Sequence, residues 1–299
     1  MKRDGQPAGP TAAQRPAGGG CLYIVATPIG NLEDITLRAL RVLKEVDLIA
    51  CEDTRQTKKL LQHYTIQTRT ISYHEHNEMT RAAELIVDLE QGARIALVSD
   101  AGMPGISDPG YRLITLAIRH QVPVVPVPGA SAVVAALVAS GLPSDAFQFG
   151  GFLPAKSGPR RSALERIRDA QHTHIYYEAP HRIIETLQDA VEVLGGSRYV
   201  VVAREVTKVH EEFLRGRADD LLEQLRARAS IKGEITLLIG KAVEAGERPA
   251  AAGKKTVRAR VEEIMRTRKL EEKAALKHVA RELGISKSEA YRELQRTRK

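Results

Sequence analysis

The sequence predicts two α/β domains followed by a small, basic, helical C-terminal segment, and three observations carry that prediction. From Cys21 onward, short apolar runs alternate with stretches of helical period, the pattern of a parallel-rich sheet covered on both faces. Beyond Pro126-Val127-Pro128-Gly129, two strand-like runs follow one another with no helix between them, which points to antiparallel pairing and a mixed second sheet. Residues 254–299 hold 15 Lys/Arg against 7 Asp/Glu, whereas the rest of the 299-residue chain is balanced at 30 of each.

The elements follow in order. Residues 1–20, rich in Gly, Pro, Ala and Gln, bury too little apolar surface to offset their ordering entropy and read as a disordered leader. In the first domain, 21–130, strands are expected at Leu22–Ala26, Leu48–Cys51, Arg69–Tyr73, Ile95–Val98 and Pro123–Val127. Helices are expected at Asp34–Val46, with Ile35, Ala39, Val42 and Val46 on one face, and at Met79–Leu89 and Tyr111–His120. The second domain, 131–243, opens with a small-residue helix at Ser131–Gly141 and a strand at Phe147–Phe152. Helices at Ser162–Gln171 and Ile183–Leu194 follow, with strands at His174–Tyr177, Tyr199–Arg204, Glu212–Arg217 and Glu234–Ile239. Residues 244–253 are a linker by composition. In 254–299, Leu283-Gly284-Ile285-Ser286 reads as a turn, and Ser286 with Glu289 as a capping box opening the last helix, a helix-turn-helix-like pattern.

Bulk properties narrow the function. No apolar run approaches the roughly 20 residues of a bilayer span, and the N-terminus lacks a secretory h-region, so a cytoplasmic, non-membrane protein is expected. Cys21 and Cys51 stand apart from any His/Cys cluster and read as buried, reduced thiols. Trp is absent and Phe scarce, so stacking of many bases is not an evident design. The local block of positive charge implies a polyanionic partner.

The chemistry concentrates at strand ends. Ile95-Ala96-Leu97-Val98 drives straight into Ser99-Asp100-Ala101-Gly102-Met103-Pro104-Gly105-Ile106-Ser107-Asp108-Pro109-Gly110, which is neither a dinucleotide fingerprint nor a P-loop. Such a loop places N–H groups and carboxylates at the carboxyl edge of a sheet, where open α/β folds bind ligands. Pro126–Ser131 joins it, also after a strand expected to be central. Similar polar or Gly/Pro clusters stand at Ala26–Asp34, Glu52–Arg55, Tyr73–Glu78, Tyr176–Arg182, Ala203–Glu212 and Lys232–Thr236. His74 and His76 share a strand face but lack a third ligand, so no metal is expected. Together the clusters indicate a large interdomain cleft.

Ala26–Asp34, Cys51–Arg55, Ser72–Asn77, Ser99–Gly110, Glu178–Arg182 and Arg204–Lys208 resemble the bacterial small-subunit ribosomal RNA cytidine 2'-O-methyltransferases. These belong to the tetrapyrrole-methylase-like class of S-adenosylmethionine (SAM) methyltransferases. The resemblance spans about residues 21–299. It implies two α/β domains of tetrapyrrole-methylase type with SAM in the interdomain cleft, a homodimer, and as substrate one cytidine ribose in the decoding region of 16S rRNA of the small ribosomal subunit. Carried over, Pro28, Asp100, Ala101, Gly102, Ile106 and Ser107 line the SAM pocket, with Gly129, Ala130 and Ser131 against it. Tyr177, Ala179 and Pro180, with Gly233, Glu234 and Thr236, close it from the second domain.

A positioned base would assist transfer to a hydroxyl; Glu205 is favoured, with His74 and Glu178 as alternatives. Lys208 and Arg55 would orient phosphate or ribose, and Lys156, Arg160, Arg161 and Arg182 would face RNA. Two other readings stand beside this one: a methylase of small tetrapyrroles, and a helix-turn-helix nucleic-acid binder whose α/β part senses a ligand. The basic tail would add affinity through phosphates. A chain ending near Ala245 is therefore expected to keep SAM binding but lose RNA affinity, with a shallower salt dependence in filter-binding titrations. Unchanged RNA binding would remove the tail from the interface.

Overall fold

The computed structural model describes residues 19–242, 261, 264–265, 271–282 and 286–296. The expected leader before residue 19, the 244–253 linker and the Leu283-Gly284-Ile285 turn lie outside the described residues.

The first sheet is built from β1 (Cys21–Val25), β2 (Leu48–Cys51), β3 (Thr70–Ser72), β4 (Arg94–Val98) and β5 (Val124–Val127), in the order β3-β2-β4-β1-β5. Every pairing is parallel. Alternate residues of these apolar strands feed two cores, as a sheet buried on both faces demands. Leu22, Leu48, Ala50, Ile95 and Leu97 pack under α3 (Glu78–Glu90) and α4 (Tyr111–Arg119). Val25, Ile49, Cys51, Ala96 and Val98 pack under α1 (Leu37–Glu45) and α2 (Thr54–His63).

The second sheet contains β6 (Phe147–Phe152), β7 (Thr173–Glu178), β8 (Tyr199–Arg204), β9 (Glu212–Arg217) and β10 (Ile235–Ile239), in the order β6-β7-β10-β8-β9. β6 and β7 are parallel and the other pairs antiparallel, so the sheet is mixed. One face carries α6 (Ser157–Glu165), α7 (Ile183–Leu194) and α8 (Ala218–Arg226). On the other lies α5 (Ala132–Ser140), whose Val133, Ala136 and Leu137 meet Ile175, Val201, Ala203 and Leu238. Ile29, from the loop after β1, joins this same cluster and so ties the first domain to the second.

Several elements differ from the sequence reading. The helix expected over Asp34–Val46 is a 3-10 turn at Leu32–Asp34 followed by α1, because Asn31 accepts the Glu33 N–H and Thr36 accepts the Ala39 N–H: two caps, two starts. Helices α2 and α8 are additional. α6 begins at Ser157 rather than Ser162, with Pro159 in the first turn, where its missing N–H has no helical partner to lose. β5 is an edge strand, not a central one, consistent with an exposed Pro126 that donates no ladder bond.

In the C-terminal segment, α9 (Glu272–Glu282) and α10 (Lys287–Arg296) share a small core of Ala275, Leu276, Val279, Ala280, Ala290 and Leu294 with Val261 and Ile264. The Ser286 hydroxyl accepts the Glu289 N–H (3.2 Å) and the Glu289 carboxylate accepts the Ser286 N–H (3.0 Å), completing the expected capping box. Among the described residues no helix is long and apolar enough to cross a membrane.

One buried group makes stability pH-dependent. His174 is almost fully buried on β7, its Nε2 has no hydrogen-bond partner, and burial pulls its pKa down to about 4. The unfolded chain takes up this proton near pH 6.5 and the folded chain only near 4, so stability falls as pH drops through that interval. Between pH 6.5 and 5 the loss from this site is about 2 kcal/mol. Urea unfolding of His174→Phe is expected to show a correspondingly smaller acid destabilisation than the parent chain; identical pH slopes would contradict it.

Candidate active site: a cavity between the two sheets

A cavity of about 480 Å³ opens where the carboxyl ends of the first sheet's strands face the second domain. That volume lies within the usual 300–1,000 Å³ range of small-molecule sites. Its first wall is the loop after β4. This loop is fixed by a two-way backbone bridge in which Thr27 N–H donates to Gly102 O (2.9 Å) and Gly102 N–H donates to Thr27 O (3.1 Å). Gly102 holds φ = +81°, a left-handed conformation that suits glycine. The bridge turns Asp100, Ala101, Gly102, Ile106 and Ser107 toward the cavity.

From α5's start comes Ser131, whose side chain accepts the Val134 N–H. From the second domain come Tyr177, Ala179 and Pro180 after β7, and Gly233, Glu234 and Thr236 around the start of β10. Pro28, Gly129 and Ala130, expected in the lining, are not among the residues that line this cavity: Pro28 is buried, Gly129 exposed and Ala130 half-buried. Gly129 packs so closely on β1 that an added Cβ would meet Ala26 Cβ at 2.9 Å, and the wall itself is formed by the adjacent Ile29 and Ser131. The sequence reading did not assign Ile29, Glu52, Met103, Asp108, Ala132, Phe152, Ala203, Val206 or Ile235 to the lining. Seven of the nine lie within the recognised motifs; Ala132 is the next residue beyond Pro126–Ser131, and Phe152 ends the strand expected at Phe147–Phe152.

The first-domain wall of the cavity is rich in carboxylates, and the remainder mixes apolar side chains with the polar Ser131, Tyr177, Glu178, Glu234 and Thr236. Burial raises the proton affinity of Glu52, Asp100 and Asp108, and repulsion among neighbouring carboxylates adds to it. Asp100 also accepts the Asp53 N–H (3.1 Å). Among the described residues no Lys or Arg lines the cavity to offset these carboxylates. Ile29, Met103, Val206 and Ile235 supply apolar surface. The space therefore suits a ligand with a cationic end and an apolar or aromatic body. SAM, a sulfonium with an α-ammonium group and an adenine, has that character. Among the described residues no three His, Cys, Asp or Glu converge to hold a metal ion.

The opposite wall is set by a clamp. Glu205 Oε1 accepts both the Lys208 ammonium (2.8 Å) and the Glu234 N–H (2.9 Å), and Lys208 also pairs with Glu234 (3.2 Å). Gly233 fits against it because it has no side chain: with φ = +90°, an added Cβ would lie 2.4 Å from the Glu205 side chain. The clamp reaches the first domain, where Asn31 N–H donates to Thr207 Oγ1 (3.3 Å).

These contacts correct several expected roles. Glu205 lies beside the cavity, not in its lining, and its Lys208 partner holds its carboxyl below its ordinary pKa, the wrong direction for a base. Lys208 is held by two carboxylates instead of being free for phosphate. Glu178 touches the cavity, but its buried carboxylate is occupied by the Ala179 N–H, the Thr186 hydroxyl and Arg182. That pairing also takes Arg182 out of the set of free cations. Arg160 is 1% exposed and bonds Asp189 (2.7 Å) and Ala155 O (3.1 Å), so it is structural and not RNA-facing. His74 contacts Asn77 and His76 outside the lining, with Nδ1 buried and unpartnered. Arg55 is paired with Asp53, and Arg161 with Glu192 and Asp189, both on the surface. Lys156 is exposed, and among the described residues it has no ion-pair partner.

A parallel first sheet, a mixed second sheet and a cavity between them define a class. Residues 21–222 match the model of the tetrapyrrole (corrin/porphyrin) methylases, and the chain belongs to that family. Within it, the chain is 55% identical over 231 residues to the ribosomal RNA small subunit methyltransferase I of Halalkalibacterium halodurans, covering 76% of this chain and 79% of that one. It is 53% identical over 233 residues to the protein of the same name from Vibrio cholerae, covering 78% and 81%. A uroporphyrin-III C-methyltransferase from Thermus thermophilus, solved with S-adenosylhomocysteine, shares the fold at a TM-score of 0.53 and 19% identity, over 75% of this chain and 98% of that one.

The clamp makes a local prediction. Glu205→Ala removes the acceptor of the Glu234 N–H and is expected to cost about 1–3 kcal/mol and to speed hydrogen exchange at that amide. Glu205→Gln keeps an acceptor and should retain most of the protection. Equal exchange in all three chains would show that the wall does not depend on the clamp.

Proposed function

We propose that this chain is a SAM-dependent methyltransferase that 2'-O-methylates the ribose of a cytidine in the decoding region of 16S rRNA. The observation that carries the methyltransferase reading is the cavity itself, rich in carboxylates on its first-domain wall, apolar in part, and walled by both domains of a tetrapyrrole-methylase fold. The RNA reading rests on relatives more than half identical that are named for small-subunit rRNA, and on the excess positive charge in 254–299. Cytoplasmic residence and a homodimer accompany the proposal.

The chain's residues divide the work. Asp100 and Glu52 would hold the ammonium end of SAM; Ile29, Val206 and Ile235 would exclude water around the rest; Gly102 and Gly233 would admit close backbone approach. Bound SAM supplies an electrophilic methyl group on a sulfonium. Alignment of the acceptor hydroxyl with that methyl accounts for most of the rate, up to about 7–11 kcal/mol in favourable models. Asp108 takes the proton from the 2'-hydroxyl at its carboxylate. It lies close enough to Tyr177 of the facing wall to raise that phenol's pKa, and its own proton affinity is raised by burial. A base held in this way contributes roughly 10²–10⁴-fold.

The test is transfer of labelled methyl from SAM to small ribosomal subunits, followed by mapping of the modified nucleotide. Label in a ribose 2'-O-methylcytidine is expected; label only in a tetrapyrrole, or none with bound SAM, would overturn the proposal. Asp108→Asn is expected to lower kcat by about 10²–10⁴-fold with SAM affinity retained, whereas Glu205→Gln keeps most of the activity. Because burial raises the Asp108 pKa, kcat/KM should fall as pH drops through a value above the ordinary carboxylate range.

A further inference from the structure

The chain has only four phenylalanines and no tryptophan, yet three of the four, Phe147, Phe149 and Phe152, lie on β6. Phe152 is half-exposed and lines the outer part of the cavity. Its ring lies 5.6 Å from that of Tyr177, and Phe149 meets the same tyrosine edge-on at 5.0 Å from the other position. Tyr177 thus contacts both phenyl rings and backs Phe152. The strand register shifts between Phe149 and Phe152, and Gly151 within the shift has φ = +65°. Without that irregularity, residues 149 and 152 would point to opposite sides of the strand. The bulge therefore brings both rings onto one tyrosine.

An exposed aromatic ring at the mouth of an acidic cavity has no use for an anion, and a hydrophobic core would have covered it. It fits a planar, uncharged partner that must be drawn from water and held beside the reaction. Nucleic-acid bases are such partners, and aromatic stacking holds them irrespective of sequence. Four residues on, at the N-cap of α6, stands Lys156, exposed and with no ion-pair partner among the described residues. A stacking ring followed four residues later in the chain by an exposed cation offers a base and a phosphate of one strand each a partner.

We propose that Phe152, braced by Tyr177 and Phe149, is the platform on which the base of the acceptor nucleotide stacks, with Lys156 holding an adjacent phosphate. This rests on the RNA-ribose reading above. Phe152 positions the acceptor and takes no part in proton or methyl transfer.

The experiment uses the full chain with Phe152→Ala, Phe152→Tyr and Lys156→Gln, and measures SAM affinity by calorimetry and methylation of small ribosomal subunits at saturating SAM. Phe152→Ala is expected to lower kcat/KM for the subunits roughly 10- to 100-fold, the loss of one base–aromatic stack, with SAM affinity within twofold of the parent chain. Phe152→Tyr should restore the rate, and Lys156→Gln should raise KM and flatten its salt dependence. A methylation rate indifferent to Phe152→Ala would overturn the stacking proposal alone. A fall in SAM affinity that accounts for the lost rate would also overturn it, by making Phe152 part of the cofactor wall. An inactive parent chain with SAM bound would overturn the RNA-ribose reading and this proposal with it.

Discussion

The site depends on the burial of α5. This helix leaves the edge strand of the first sheet and presses Val133, Ala136 and Leu137 onto the second, where Ile29 from the loop after β1 joins them. Hydrophobic contact is non-directional, but here it fixes direction, because one helix belongs by sequence to one sheet and by packing to the other. With α5 seated, the loops after β1 and β4 can only face the ends of β7, β8 and the start of β10. The cavity is the space that remains between them. Its glycines then follow: Gly102 closes the bridge to Thr27, and Gly233 leaves room for the Glu205 side chain.

Around that space, charge is sorted by whether it has a partner. Glu178, Glu205 and Glu212 each hold a cation, and the arginines on Glu212 draw its pKa down to about 2. Such carboxylates are anchors, engaged by their partners and unavailable to a ligand. Glu52, Asp100 and Asp108 have no cation in the cavity lining, and burial moves their proton affinity the opposite way. Two consecutive carboxylates can thus fall into opposite classes, as Glu52 and Asp53 do: Arg55 lowers Asp53 to about 2 while Glu52 faces the cavity.

Much of this was legible before any coordinates, for reasons that differ by residue. β2, β8 and α7 have the bounds that their apolar patterns imply, because buried strands and amphipathic helices write their environment into local sequence; β6 and β9 also keep their expected bounds, although they are largely exposed or half-buried. α8 carries a helical signal as well, with Ala218, Leu221, Leu222 and Leu225 buried at helical spacing. α2 does not; its buried face is Thr57, Leu60 and Leu61, only two of them apolar. The walls of the cavity follow from motifs at strand ends, but the roles of single side chains do not. Adjacent Arg160 and Arg161 look alike in sequence and both reach Asp189 on a different helix, yet Arg160 is buried on it and on the Ala155 carbonyl whereas Arg161 turns outward to Glu192. Glu205 sits among titratable neighbours in the sequence, and only their three-dimensional arrangement shows the carboxylate to be engaged.

The Arg160–Asp189 pair has a wider meaning. Desolvating two opposite charges rarely adds much net stability compared with a well-packed apolar pair, so its value is better sought in uniqueness of arrangement. A phenyl or leucyl side chain tolerates sliding of one helix along another; a guanidinium seated on one carboxylate and on the Ala155 carbonyl does not. Because Ala155 directly precedes Lys156 and lies three residues beyond Phe152, the ion pair acts as a fixed datum for the cavity's outer edge. Sequence drift in the surrounding α6–α7 core can then alter packing without shifting where that edge stands.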